Sequence, residues 1–197
     1  MFRRWVAASG LIAMMAAAGG AGAGAGAAET ALDWSALPLP GIDGAPVPPE
    51  TLRGKVVLVV NTASFCGFTR QYEGLEKLWT RYRDRGLVVL GVPSNDFGAQ
   101  EPGSNGTIKD FCETTYGIDF PILEKQTVRG DGAHPLFRWI VAQAGSAARP
   151  QWNFHKYLVG RDGHLAGWYP SSVEPDDASL TQAIERALAA PPRSTQS

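Results

Sequence analysis

Two apolar runs stand out along the chain. Residues 55–61 and 87–92 are almost entirely Val, Leu and other non-polar residues. Runs of that length, rich in β-branched residues and nearly all apolar, predict strands buried on both faces. Between them, residues 69–84 carry apolar side chains at helical spacing and predict a helix. A helix joining two nearly all-apolar strands is the pattern of a parallel βαβ unit.

The pattern then changes. Residues 105–116 predict a second helix, capped by Ser104 or Asn105 and ended by Gly117. A third helix is predicted over 134–144. Strands over 154–159 and 164–169 flank Arg161-Asp162-Gly163, a good hairpin turn. A closing helix is predicted over 177–189. Ahead of the core, residues 29–49 are rich in Pro and Gly, with Leu37, Leu39, Ile42 and Val47 placed for a short hairpin. No internal repeat is present. The order β-α-β-α followed by α-β-β-α predicts an α/β, thioredoxin-like fold: a mixed central sheet flanked by helices on both faces.

Composition narrows the class. A chain of 197 residues suits one domain, and 44% hydrophobic residues can build a core. A net charge of −1 gives no basic field, so no nucleic-acid partner is expected. Residues 1–28 stand apart. Arg3 and Arg4 precede an apolar run from Trp5 to Ala18, and small-residue sites such as Ala23-Gly24-Ala25 follow. This predicts a secretory signal peptide, with an uncleaved anchor as the rival reading. The folded domain is then 29–190, with a flexible tail over 191–197. The expected location is exported, periplasmic or secreted, without stable membrane association once the signal is cleaved.

Export alters the reading of the two cysteines, Cys66 and Cys112. An oxidising compartment permits either a permanent disulfide staple or a redox-active pair. Cys66 follows the first strand, Gly67 permits a sharp turn, and a helix begins soon after. Free N–H groups and the positive dipole end at that place favour a thiolate. The alternative is an inert buried cysteine. His134, His155 and His164 lack paired spacing, so no metal site is expected. No cofactor motif is present either.

Three segments carry a family resemblance. Asn61-Thr62-Ala63-Ser64-Phe65-Cys66-Gly67 is followed by Pro93-Ser94-Asn95-Asp96-Phe97-Gly98-Ala99-Gln100-Glu101-Pro102-Gly103, then Trp152-Asn153-Phe154. Together they resemble the glutathione peroxidase family in its cysteine-containing form, over about Leu37 to Ala189. The resemblance implies the thioredoxin-like fold and a peroxidase that reduces hydrogen peroxide and organic or lipid hydroperoxides through Cys66. It also implies that Gln100, Trp152 and Asn153 donate hydrogen bonds to the sulfur. The residue types suit that role, since amide and indole N–H groups are neutral donors. In thioredoxin-linked members the resolving cysteine occupies the place of Cys112. Cys66 and Cys112 are expected to lie too far apart for a disulfide in the reduced fold, so the 105–116 helix would open. Gly106, Thr107, Thr114, Thr115 and Gly117 make it a weak helix.

The resemblance favours a thioredoxin-type protein over glutathione as reductant. The short segment between Ala142 and Gln151 implies a monomer. One departure is Ser94-Asn95-Asp96, where the family often has Cys-Asn-Gln. A carboxylate facing Cys66 would raise its pKa, so Asp96 is expected to point away. A one-cysteine, glutathione-dependent peroxidase and a peroxide sensor that oxidises a partner protein remain alternatives. A Cys-x-x-Cys oxidoreductase is disfavoured because Thr69 occupies the second position.

Overall fold

The computed structural model describes residues 30–191. The predicted leader over 1–28, and the predicted tail beyond residue 191, lie outside the described residues. Four strands form one sheet: β1 (Val56–Thr62), β2 (Leu87–Pro93), β3 (Lys156–Val159) and β4 (Leu165–Tyr169). Their order is β2-β1-β3-β4. β1 and β2 pair in parallel, while β3 is antiparallel to both β1 and β4. The sheet is therefore mixed, and its parallel pair, β1 and β2, is the most apolar part.

The helices are α1 (Gln71–Tyr82), α2 (Asn105–Tyr116), α3 (Pro135–Ala144) and α4 (Ala178–Ala189). Alternation along β1 explains where they sit. Side chains on a strand point to opposite faces in turn. Val56, Leu58 and Val60 join one core with Leu75 of α1, Ile108 and Cys112 of α2, and Leu180 and Ile184 of α4. Val57 and Val59 join a second core with Leu136, Phe137 and Ile140 of α3. Both faces of β1 are covered, which is why the strand reads as a continuous apolar run.

Several boundaries move from those the periodicity predicts. α1 begins at Gln71 rather than 69, because residues 66–69 form a separate turn closed by the Thr69 N–H to Cys66 carbonyl bond of 3.0 Å. β3 begins at Lys156 rather than 154, since Phe154 adopts a left-handed φ of 65° that no regular strand accommodates. His134 and Asp177 act as caps of α3 and α4 rather than as helical residues. Ser104 caps α2; the Asn105 side chain instead accepts from the Lys125 N–H. The predicted N-terminal hairpin is a single bridge, Pro40 with Pro46. It docks on residues 121–124, which bond in turn to Gly91 along the edge of β2. That covers an edge that would otherwise be open to pairing. Among the described residues, no helix is long and apolar enough to cross a membrane.

Candidate active site

Three loops converge at one end of the sheet. The first carries Cys66, just past β1. A single hydroxyl closes it: Thr69 Oγ1 donates to the Ala63 carbonyl and accepts the Cys66 N–H, both at 2.9 Å. The Phe68 N–H points at Cys66 Sγ at 3.4 Å. A backbone donor is thus aimed at the sulfur. Cys66 is partly exposed, so a small molecule can reach it.

The second loop, 94–103, delivers Gln100. The Phe65 N–H donates to the Gln100 carbonyl at 3.0 Å, tying this loop to the residue before Cys66. Asn95 Oδ1 accepts the Glu101 N–H at 2.8 Å and closes the loop on itself. Gly98 and Ala99 both have positive φ, 63° and 52°. Alanine pays a steric cost there, the kind of local strain that collects at functional loops. Asp96 does point away: Oδ2 accepts the N–H groups of Val128 and Arg129 at 2.7 and 3.2 Å.

The third loop carries Trp152 and Asn153. Asn153 is fully buried, and its Nδ2 donates to Gln100 Oε1 at 2.9 Å. That commits the Gln100 oxygen and leaves its N–H groups for another acceptor. The Trp152 ring lies against Phe97, with centroids 5.9 Å apart, and remains 39% exposed. Asn61, at the end of β1, donates to the Trp152 carbonyl at 2.9 Å. Hydrogen bonds thus join the Cys66 loop to Gln100 and Gln100 to Asn153, with Trp152 next in chain.

Cys112 has a different environment. It lies on α2 and is wholly buried, and both cysteines are free thiols rather than a staple. Burial pushes its pKa up to about 11, partly offset by the neighbouring Tyr72 hydroxyl. Tyr72 lies beside Cys112 and Thr62, yet its hydroxyl makes no hydrogen bond of ordinary geometry. Cys66 packs against the same core that contains Cys112. Phe65 and Phe111, the residues preceding the two cysteines, stack at 6.4 Å. The loop of one cysteine therefore touches the helix of the other.

The sequence reading missed three supporting residues. Thr69 counted only as the absence of a second cysteine, although its hydroxyl closes the Cys66 turn. Asn61 looked like an ordinary strand end, though a polar residue ending an apolar run was a usable signal. Glu101 lies in the same motif and is fully buried beside Ser64, with no hydrogen bond of ordinary geometry to its carboxylate oxygens. Burial raises its pKa, against the opposing influence of Ser64 and Lys125. The histidines serve locally. His134 caps α3, and His155 is held neutral by burial, at a pKa of about 4. Among the described residues, no three His, Cys, Asp or Glu side chains converge as a metal site.

The chain is similar to known proteins. The family model described as glutathione peroxidase matches residues 35–141. The hydroperoxy fatty acid reductase gpx1 of Synechocystis sp. (strain ATCC 27184 / PCC 6803 / Kazusa) is 50% identical, over 75% of this chain and 90% of its own. The thioredoxin/glutathione peroxidase BtuE of Escherichia coli (strain K12) is 40% identical, over 75% of this chain and 93% of its own. Among solved structures, the apo form of Trgpx superposes with a TM-score of 0.66 at 34% identity, covering 83% of this chain and all of that one. With a free, partly exposed cysteine at the head of a thioredoxin-like sheet, the chain belongs to the glutathione peroxidase family as a cysteine-type peroxidase.

Proposed function

We propose that Cys66 is the peroxidatic residue of a thiol peroxidase acting on hydrogen peroxide and on organic and fatty-acyl hydroperoxides. The Cys66 thiolate attacks one peroxide oxygen, the O–O bond breaks, and a proton goes to the departing alkoxide. The products are a Cys66 sulfenic acid and an alcohol or water. Gln100, Trp152 and Asn153 supply neutral N–H donors around the sulfur and the departing oxygen. The observation that carries this reading is the bonded path from the Cys66 turn, held by Phe68 N–H on Sγ, through Gln100 to Asn153. The exposed Phe65 and Trp152 favour apolar hydroperoxides, as does the similarity to the hydroperoxy fatty acid reductase of Synechocystis.

Cys112 is the resolving residue. Its thiolate attacks the Cys66 sulfenic sulfur, an S–S bond forms and water leaves. A dithiol protein of the thioredoxin type then reduces the disulfide, a reading the name of the Escherichia coli relative supports. A one-cysteine reaction with glutathione is the second reading, favoured by one observation: Cys112 is buried and protonated in the closed helix. The protein acts as an exported monomer, supported by the leader pattern of residues 1–28 and the short 142–151 segment.

The intact mass of reduced protein, taken before and after one equivalent of hydroperoxide, tests both readings. Loss of two hydrogens mapped to Cys66 and Cys112 supports the two-cysteine route. Gain of one oxygen on Cys66 supports the glutathione route. An unreacted Cys66 rejects the peroxidase site.

A further inference from the structure

Lys156 is a lysine with no exposed surface, on the first residue of β3. Lysines are almost never fully buried, because taking an ammonium out of water costs several kcal/mol. Its place in the fold gives a reason. The Lys156 ammonium donates to the Phe154 carbonyl at 2.9 Å. Phe154 is one of two non-glycine residues with positive φ among the described residues, and it directly follows Asn153. A phenylalanine in that conformation is strained and persists only where its surroundings over-determine it.

Those surroundings bond the carbonyls of Trp152, Asn153 and Phe154 and the Phe154 N–H. Asn61 Nδ2 holds the Trp152 carbonyl, and the Asn61 carbonyl accepts the Phe154 N–H at 2.6 Å. Ser171 Oγ donates to the Asn153 carbonyl at 2.6 Å. The Phe154 ring meets Tyr72 edge-on at 5.3 Å. Lys156 completes the set with the one charged donor, and charge-assisted bonds are roughly twice as strong as neutral ones.

We infer that Lys156 is a positioning residue for the reaction at Cys66: its ammonium clamps the strained Phe154 carbonyl and so aims the Asn153 side chain at Gln100. This rests on the reading of Cys66 as the peroxidatic residue. Burial lowers the Lys156 pKa to about 8, opposed by Glu174. The other titratable groups around it are neutral His155 and Tyr169, its partner across β4, while Glu174 itself pairs with Arg70. The ammonium is therefore largely charged at pH 7, and the clamp weakens as pH rises through about 8.

Lys156→Met removes the donor while keeping length and apolar packing. The rate of Cys66 oxidation by hydrogen peroxide at pH 7 should fall about ten- to a hundredfold, the scale of a misplaced catalytic group. The pH profile of Cys66 alkylation should move to higher pH, and Lys156→Arg should restore most of the rate. Melting temperature should stay within about 4 °C of the parent, because a buried charge is lost along with a bond. A double variant, Asn153→Ala with Lys156→Met, should be no slower than Asn153→Ala alone. Multiplying effects, or an unchanged rate in Lys156→Met, overturns the inference. If the Met variant does not fold, Lys156→Gln serves, since its amide is one bond too short to clamp the carbonyl. Failure of both to fold would make Lys156 a structural residue and overturn the inference equally. A parent protein whose Cys66 does not react at all overturns the peroxidase site instead, so the two failures are distinct.

Discussion

Weakening the cap of α2 should speed formation of the Cys66–Cys112 disulfide. Ser104 Oγ accepts the Thr107 N–H at 3.2 Å and meets the Thr107 hydroxyl at 3.0 Å. Ser104→Ala removes that cap at a cost of about 1 kcal/mol, which raises the open population of α2 about fivefold. Opening matters because the closed helix holds Cys112 at a pKa of about 11, against an ordinary 9.0. At pH 7.5 the closed thiol is ionised in about 3 molecules in 10,000, and a solvated one in about 3 in 100. The closed state therefore loses twice over, by burial and by about a hundredfold less thiolate. Gly106→Ala should act the other way. Gly106 has no positive φ, and an added Cβ meets only Ser104 Oγ at 3.9 Å. Alanine there should stabilise α2 by about 0.5–1 kcal/mol and slow the step about two- to fivefold. Rapid-quench mass spectrometry after one equivalent of hydroperoxide follows sulfenic acid turning into disulfide. Equal rates in parent and both variants, with Cys66 oxidation unaltered, would refute a helix-opening step.

Other outcomes follow from the same geometry. Asn61→Ala frees the Trp152 carbonyl and should cost about 1–3 kcal/mol in denaturant melts, with a slower Cys66 oxidation; a stable variant with parental rate would contradict the anchoring role. Phe65→Ala removes a ring that is 67% exposed, and should raise KM for bulky apolar hydroperoxides several-fold while leaving hydrogen peroxide unaffected. For Cys112 the folded pKa lies above the unfolded one, so its contribution is full below about pH 9 and is lost as pH rises to about 11. Over that window the parent should lose about 2–3 kcal/mol more stability than Cys112→Ala. Parallel pH–stability curves for the two proteins would show the thiol is not buried in solution.

Much of the fold was legible because its signals are local. β1 is apolar from Val56 to Val60 and β2 along its whole length, and their neighbours on both faces account for that. α2 announces its ends with Ser104 and Gly117, and both act as read: a serine cap and a left-handed glycine. α1 starts two residues later than its periodicity predicts, because periodicity reports burial, whereas the turn over 66–69 is decided by which carbonyl the Thr69 hydroxyl finds. β3 starts two residues later than its apolar pattern predicts, because nothing in Trp152-Asn153-Phe154 betrays a left-handed phenylalanine; bonds from Asn61, Ser171 and Lys156 impose it.

The candidate site divides along the same line. Sequence motifs alone named Cys66, Gln100, Trp152, Asn153 and Cys112, since each lies in a recognisable local segment. The near-continuous apolar runs of β1 and β2 likewise determined that the sheet would be covered on both faces. Only the tertiary structure decided that Asn153 donates to Gln100, that Cys112 is sealed beside Tyr72, and that a lysine lies fully buried behind the site. Those facts depend on contacts between residues up to about a hundred positions apart, and on solvent exclusion, which no local pattern encodes. Burial turns an ordinary thiol into a protonated one and an ordinary lysine into a clamp, because charge is costly wherever water cannot follow.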